Sequence, residues 1–149
     1  MDSSSILAAL AGYFVFILAF LVFFIIVMWK IYAKAGQPGW AVLVPIYNIY
    51  VYTQVIRRPG WWILVYLVPY ILMFLIPGSM LWVSMVLFLG LLVISIMDTH
   101  RLSTSFGHGV GFTIGLILLG IVFYPILAFG SSTYMGAPSS GGTALDQNL

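Results

Sequence analysis

Twenty-three consecutive residues, Ile6 to Met28, carry no charge, and that run limits the chain's folds more than any other feature. As a helix it is about 34 Å long at 1.5 Å per residue, enough to cross a hydrocarbon core of about 30 Å with some tilt. Trp29, Lys30 and Tyr32 follow at once, the residue types that anchor a span at the headgroup level. The lead, Met1 to Ser5, holds Asp2 and no basic residue. A cleaved secretory signal has a basic start, a shorter apolar run and a small-residue cleavage site, so this run is expected to stay in place as a span.

Composition agrees. Only 5% of the 149 residues are charged and 63% are hydrophobic, whereas a soluble domain charges about a quarter of its residues. The net charge of +2 comes from small groups of bases between apolar runs, which suits a membrane surface rather than nucleic acid. Without cysteine there is no disulfide, thiolate metal site or thiol nucleophile.

The stretch Lys34 to Trp62 repeats itself: Pro38-Gly39-Trp40 opens one apolar run and Pro59-Gly60-Trp61 opens the next. The run Trp40 to Ile56 is short, carries Pro45 and Asn48, and is rich in tyrosine. Were it to cross, Lys34 would face one side of the bilayer and Arg57 and Arg58 the other, against the positive-inside bias. A re-entrant or interfacial course is therefore expected, breaking near Pro45–Asn48, with Asn48 as an interior polar group. Further apolar runs predict spans at 61–77, 79–97 and 112–130 besides the first at about 6–30. Asp98 to Arg101 then closes the third span and Leu102 to Gly111 forms a polar loop. The expected fold class is all-α: a polytopic integral membrane protein of four transmembrane helices plus the re-entrant segment. Residues 1–135 form one embedded domain and 136–149 a flexible polar tail. All five Lys/Arg then share the cytoplasmic side, both termini lie outside, and the location is the bacterial inner membrane.

Asp98, His100 and His108 are the only metal-ligating types that cluster, but their spacing lacks a fixed helical frame. The plainer reading sets Asp98 beside Arg101 with both histidines solvated or on lipid phosphates, and no metal is expected. Ser84 and Ser95, like Gly111 and Gly115 at the head of the fourth span, suit close helix packing. No base is expected beside a serine at membrane depth, so no nucleophile is assembled. The candidate packing and interaction residues are thus Pro38, Gly39, Trp40, Pro45, Asn48, Pro59, Gly60, Trp61, Gly111 and Gly115.

Lys34 to Trp40, Val44 to Asn48, Arg58 to Trp62, Phe106 to Phe112, and Phe123 to Gly130 leading to Tyr134 occur in that order. Together, over about residues 30–135, they resemble a family of small bacterial membrane proteins of unknown function. Members tend to have a basic residue at the position of His108 and a proline near Gly120; the second departure implies a straighter fourth span. Such proteins are often labelled signal peptidase I, which implies a Ser–Lys dyad on a large outside β-domain. Lys30 and Lys34 are expected on the opposite face from any outside serine, so the resemblance implies a fold and a location but no peptidase.

Three function classes follow. The first is a non-catalytic accessory subunit of a larger membrane complex, partnered by other membrane proteins and by lipid. The second is a small carrier, channel or lipid-binding protein whose site lies where the Pro45–Asn48 break meets the kinks at Pro69 and Pro125. The third is a membrane hydrolase, for which the residues give no support. No cofactor is expected beyond a bound lipid, and no nucleic-acid partner.

Overall fold

The computed structural model describes residues 2–136, so the expected tail lies, from residue 137, outside the described residues. Among those residues the chain is helix and turn, with no strand. Helix α1 (Ser3–Lys34) is followed by a 3-10 turn, Gly39–Leu43, and by α2 (Pro45–Val55). A second 3-10 turn, Gly60–Trp62, runs straight into α3 (Ile63–Leu75), and a third, Gly78–Met80, joins it to α4 (Leu81–Ser105). Two short helices follow, α5 (Val110–Leu118) and α6 (Gly120–Phe129). Helices α1 and α4 are long and apolar enough to cross a membrane; 60–75 is apolar but shorter.

Three of the reversals share one construction. Helices α1, α2 and α4 each end in a residue of the left-handed region, Gly36 (φ 71°), Arg57 (φ 59°) and Gly107 (φ 76°). In each, the next amide reaches back five residues: Gln37 N–H to Tyr32 O at 2.8 Å, Arg58 to Thr53 at 2.8 Å, His108 to Ser103 at 3.0 Å. This is the Schellman closure, which satisfies carbonyls a helix end leaves open. Gly36 and Gly107 adopt that backbone freely, whereas Arg57 holds it at a cost of about 1–2 kcal/mol. The residue after the closure is extended in all three cases, Pro38, Pro59 and Gly109, and the chain turns back.

The buried core lies where these turns meet. Val27, Ile31 and Tyr32 of α1 pack with Ala41, with Val51 and Val55 of α2, with Leu102 and Phe106, and with Leu127 and Ala128 of α6. Thr53, Asp98, Ser103 and Ser105 are buried among them. Towards the opposite end the molecule turns inside out: residues 2–23 are exposed throughout, and Phe74 is 90% exposed.

The segment 40–56 breaks beside Pro45 as expected, at Val44, and Pro45 opens α2, where its missing N–H costs nothing. Other expectations are corrected here. Helix α4 does not stop at Met97 but runs to Ser105, so Leu102–Gly111 is mostly helix and core, with a connection only over 106–109. The hydroxyls that suggested a loop are absorbed locally: Thr104 and Ser105 donate to Arg101 O at 3.0 and 2.7 Å, and Ser103 to Gly109 O at 3.1 Å. The run 112–130 is not one helix, nor is it the straighter span that the lack of a proline near Gly120 implied. Leu119, at φ −127° and ψ 43°, leaves the helical region and separates α5 from α6. These form a V: Phe123 folds back over Gly115, and beyond the two arms His108 Nε2 meets Ser132 Oγ at 2.7 Å. At about 14 and 15 Å neither arm is long enough to span a bilayer.

The chain after α6 therefore lies at the turn end, not at the end where Asp2 lies. Tyr134 donates its hydroxyl to Val55 O at 2.9 Å and Met135 its amide to Ser105 O at 2.8 Å. Lys34 donates to Leu127 O at 2.8 Å and Gly130 O at 2.7 Å, capping the C-terminus of α6 with a cation where the helix dipole is negative. Lys30 sits 4.7 Å over the Phe129 ring.

Candidate functional site

A buried ionic cluster ties the second turn to α3 and α4. Asp98 is 1% exposed, and its Oδ1 accepts from Arg58 Nε at 2.9 Å and Nη2 at 2.7 Å. Its Oδ2 accepts from Trp62 Nε1 at 3.3 Å and from the Tyr66 hydroxyl. The Arg58 guanidinium lies 4.0 Å over the Trp62 ring. Four donors leave the carboxylate saturated and the pair electrically neutral, the condition under which a buried charge is tolerated. The expected neighbour Arg101 is thus replaced by Arg58, forty residues upstream.

Beside this cluster a cavity of about 340 Å³ opens between α1, α2, α3 and α4. Tyr32, Tyr52, Tyr66 and Tyr70 line it with Asn48 and Ser95, and Met28 and Ile49 add apolar wall. Asn48 does become an interior polar group, its Oδ1 accepting from the Tyr32 hydroxyl. A second cavity, about 670 Å³, shares Tyr70 and Ser95 with the first and continues between α3, α4, α5 and α6. Its walls are mainly Leu, Ile, Met and Phe, with Tyr124 and Thr99 at the edge.

Of the ten candidate packing and interaction residues Asn48 alone lines the first cavity, and Ser95, read from sequence as a packing residue, lines it too. Pro38 and Pro59 are the extended residues of the turns, and a side chain at Gly39 would run into the Trp29 indole. A Cβ at Gly60 would meet the Tyr50 ring at 3.1 Å. Trp40, half exposed, stacks on Tyr47 at 5.0 Å, and Trp61 meets Trp62 edge-on at 5.4 Å. Gly115 lies under the Phe123 ring, whereas Gly111 has open space around it. The structure does not bring Asp98, His100 and His108 together. His100 Nδ1 pairs with Thr113 Oγ1 at 3.0 Å, and His108 stacks on Phe112 at 4.0 Å besides meeting Ser132. Among the described residues no three potential ligands converge on one point.

The functional residues that sequence reading passed over are Arg58, Trp62, Tyr66 and Tyr70. Their signal was present: they recur every four residues, one face of a helix, along an otherwise apolar run. Asn48 and Tyr52 repeat the spacing on α2. No curated protein and no solved structure matches the chain. A family profile does match, from Trp40 onward, and takes in the ionic cluster and every cavity residue except those of α1. By that match over residues 40–137, the chain belongs to a family of unknown function (DUF5684).

Proposed function

We propose that this protein is a non-catalytic integral protein of the bacterial cytoplasmic membrane that holds an amphiphile in the tyrosine-lined cavity. The observation that carries this reading is the contrast between a hydroxyl- and amide-lined hollow and helices whose outer faces are almost wholly apolar. A soluble protein buries its most apolar helices; here α1 and α4 expose theirs. In the proposed arrangement α1, α3 and α4 cross the bilayer, while α2 and the α5–α6 V enter it part-way and return. A broken helix at membrane depth is tolerated where it faces protein or a cavity, as α2 does. All five Lys and Arg fall at the turn end, which the positive-inside bias assigns to the cytoplasm.

Two measurements bear on this. Purified in mild detergent and examined by native mass spectrometry, the protein is expected to carry one amphiphile per chain. A chain that emerges bare after saturation with membrane lipid would overturn the reading. For the arrangement, the chain has no cysteine of its own, so single replacements report sidedness. In intact spheroplasts Ser3→Cys is expected to react with an impermeant thiol reagent, and Thr104→Cys and Ser131→Cys only after the membrane is opened. Labelling of Ser131→Cys from outside would mean that α5 and α6 together cross.

A second reading, an accessory subunit of a larger complex, is favoured by one feature. Residues 2–23 of the chain, nearly all of them in α1, stand clear of the rest, with Phe16 and Phe20 stacked on their surface 6.4 Å apart. A membrane protein that co-purifies at one-to-one ratio would support it.

A further inference from the structure

We infer that the amphiphile is uncharged and carries carbonyl oxygens on its head, which sits in the tyrosine cavity while its hydrocarbon tail lies in the adjoining apolar one. The inference rests on the proposed function above and specifies its ligand. Three observations lead to it.

The first is a set of free donors. Tyr32 gives its proton to Asn48 Oδ1 and Tyr66 gives its proton to Asp98. The Asn48 amide nitrogen and the hydroxyls of Tyr52, Tyr70 and Ser95 make no hydrogen bond to another described side chain, yet all four residues line the cavity. The side-chain acceptor of Asn48 is already used. The Asn48 amide nitrogen can only donate and each of the three hydroxyls can donate, so a carbonyl oxygen, which accepts and brings no proton of its own, can meet any of them. The second is charge. No ionisable cation or carboxylate lines the cavity, and Asp98 behind it is fully engaged by four donors. A phosphate or ammonium headgroup would lose its water there without a counter-ion.

The third is shape. The two cavities border each other at Tyr70 and Ser95, and beyond that boundary Met73, Phe88, Leu91 and Leu92 make an apolar wall. Their volumes, about 340 and 670 Å³, fall in the range of ordinary ligand sites. Hollows so matched suit a molecule with a short polar end and a long apolar one. Ester carbonyls of a neutral glycerolipid and ring carbonyls of a quinone share this chemistry.

The test uses the full chain in mild-detergent micelles, with binding read by native mass spectrometry. Four probes are titrated: dioleoylglycerol, its diether analogue without carbonyls, a menaquinone with a short isoprenoid tail, and dioleoyl phosphatidylglycerol. At least one of the two uncharged carbonyl probes is expected to bind one per chain. If it is the glyceride, the diether should bind about 10-fold more weakly, the worth of one lost hydrogen bond. Asn48→Leu and Tyr70→Phe should each weaken the preferred probe by a similar factor. Tyr70→Phe keeps the ring, so its effect reads the hydroxyl alone, and Ser95→Phe should plug the junction. Preference for the glyceride or the quinone identifies the source. Binding of the diether as tight as the ester, with no binding of the quinone, overturns carbonyl recognition and leaves amphiphile binding standing. Tightest binding of phosphatidylglycerol overturns the uncharged head. Failure of every probe, on a chain that also purifies bare, removes the underlying reading as well.

Discussion

Asp98→Ala is expected to lower stability by about 3–5 kcal/mol, the usual loss when one partner of a buried ion pair is removed. The alanine leaves the Arg58 guanidinium, 11% exposed, without its counter-charge. It also strips the acceptor from Trp62 Nε1 and from the Tyr66 hydroxyl. The loss should fall on the junction of the second turn with α3 and α4, because these are the segments the carboxylate joins. The pair itself need not be a large net stabiliser, since each charge loses its hydration on burial. Arg58→Met together with Asp98→Leu is therefore expected to recover more than half of what Asp98→Ala loses. Denaturant or thermal unfolding in detergent micelles measures both. A single replacement that costs under about 1 kcal/mol would show that water reaches Arg58 and that the cluster is not closed.

Gly115→Leu is expected to cost about 1–3 kcal/mol, the range for forcing bulk into an occupied space. From sequence the cause would be a neighbouring helix backbone; the structure supplies a different one, the Phe123 ring lying on Gly115 from the other arm of the V. That difference gives a sharper test. With Phe123→Ala in the same chain the leucine has room, and the double variant should unfold closer to Phe123→Ala alone than the two separate losses predict. Strict additivity would place the leucine against something other than Phe123. Gly111→Leu, facing open space, should change the melting temperature little.

What could be read in advance divides along physical lines. Helices α1 and α4 were legible because length and hydropathy decide them locally. The first two turns were legible because Pro-Gly-Trp follows the closure in both. The third, Ser103 to Gly109, builds the same closure without a Trp or a Pro, and its polar residues read as a longer loop. The V of α5 and α6 was hidden because hydropathy sums alike over a straight run and a doubled one. Its direction hangs on the backbone of Leu119 and on a ring eight residues from Gly115. The Arg58–Asp98 pair joins residues forty positions apart, so from sequence Asp98 is set beside its near neighbour Arg101 instead. The four-residue spacing of Arg58, Trp62, Tyr66 and Tyr70 marks one helix face but not the direction in which that face points.

The cap that Lys34 places on α6 also fixes an order of assembly. Its two carbonyls belong to residues made 93 and 96 positions later. At about 5–20 residues per second the ribosome needs about 5–20 s to supply them. Through that interval α1 is already placed, its ammonium waiting at the surface, and the element that completes the core has not yet left the tunnel. Helix α6 is thus held by α1, and a chain released before Leu127 leaves the Lys34 ammonium without the carbonyls that it caps.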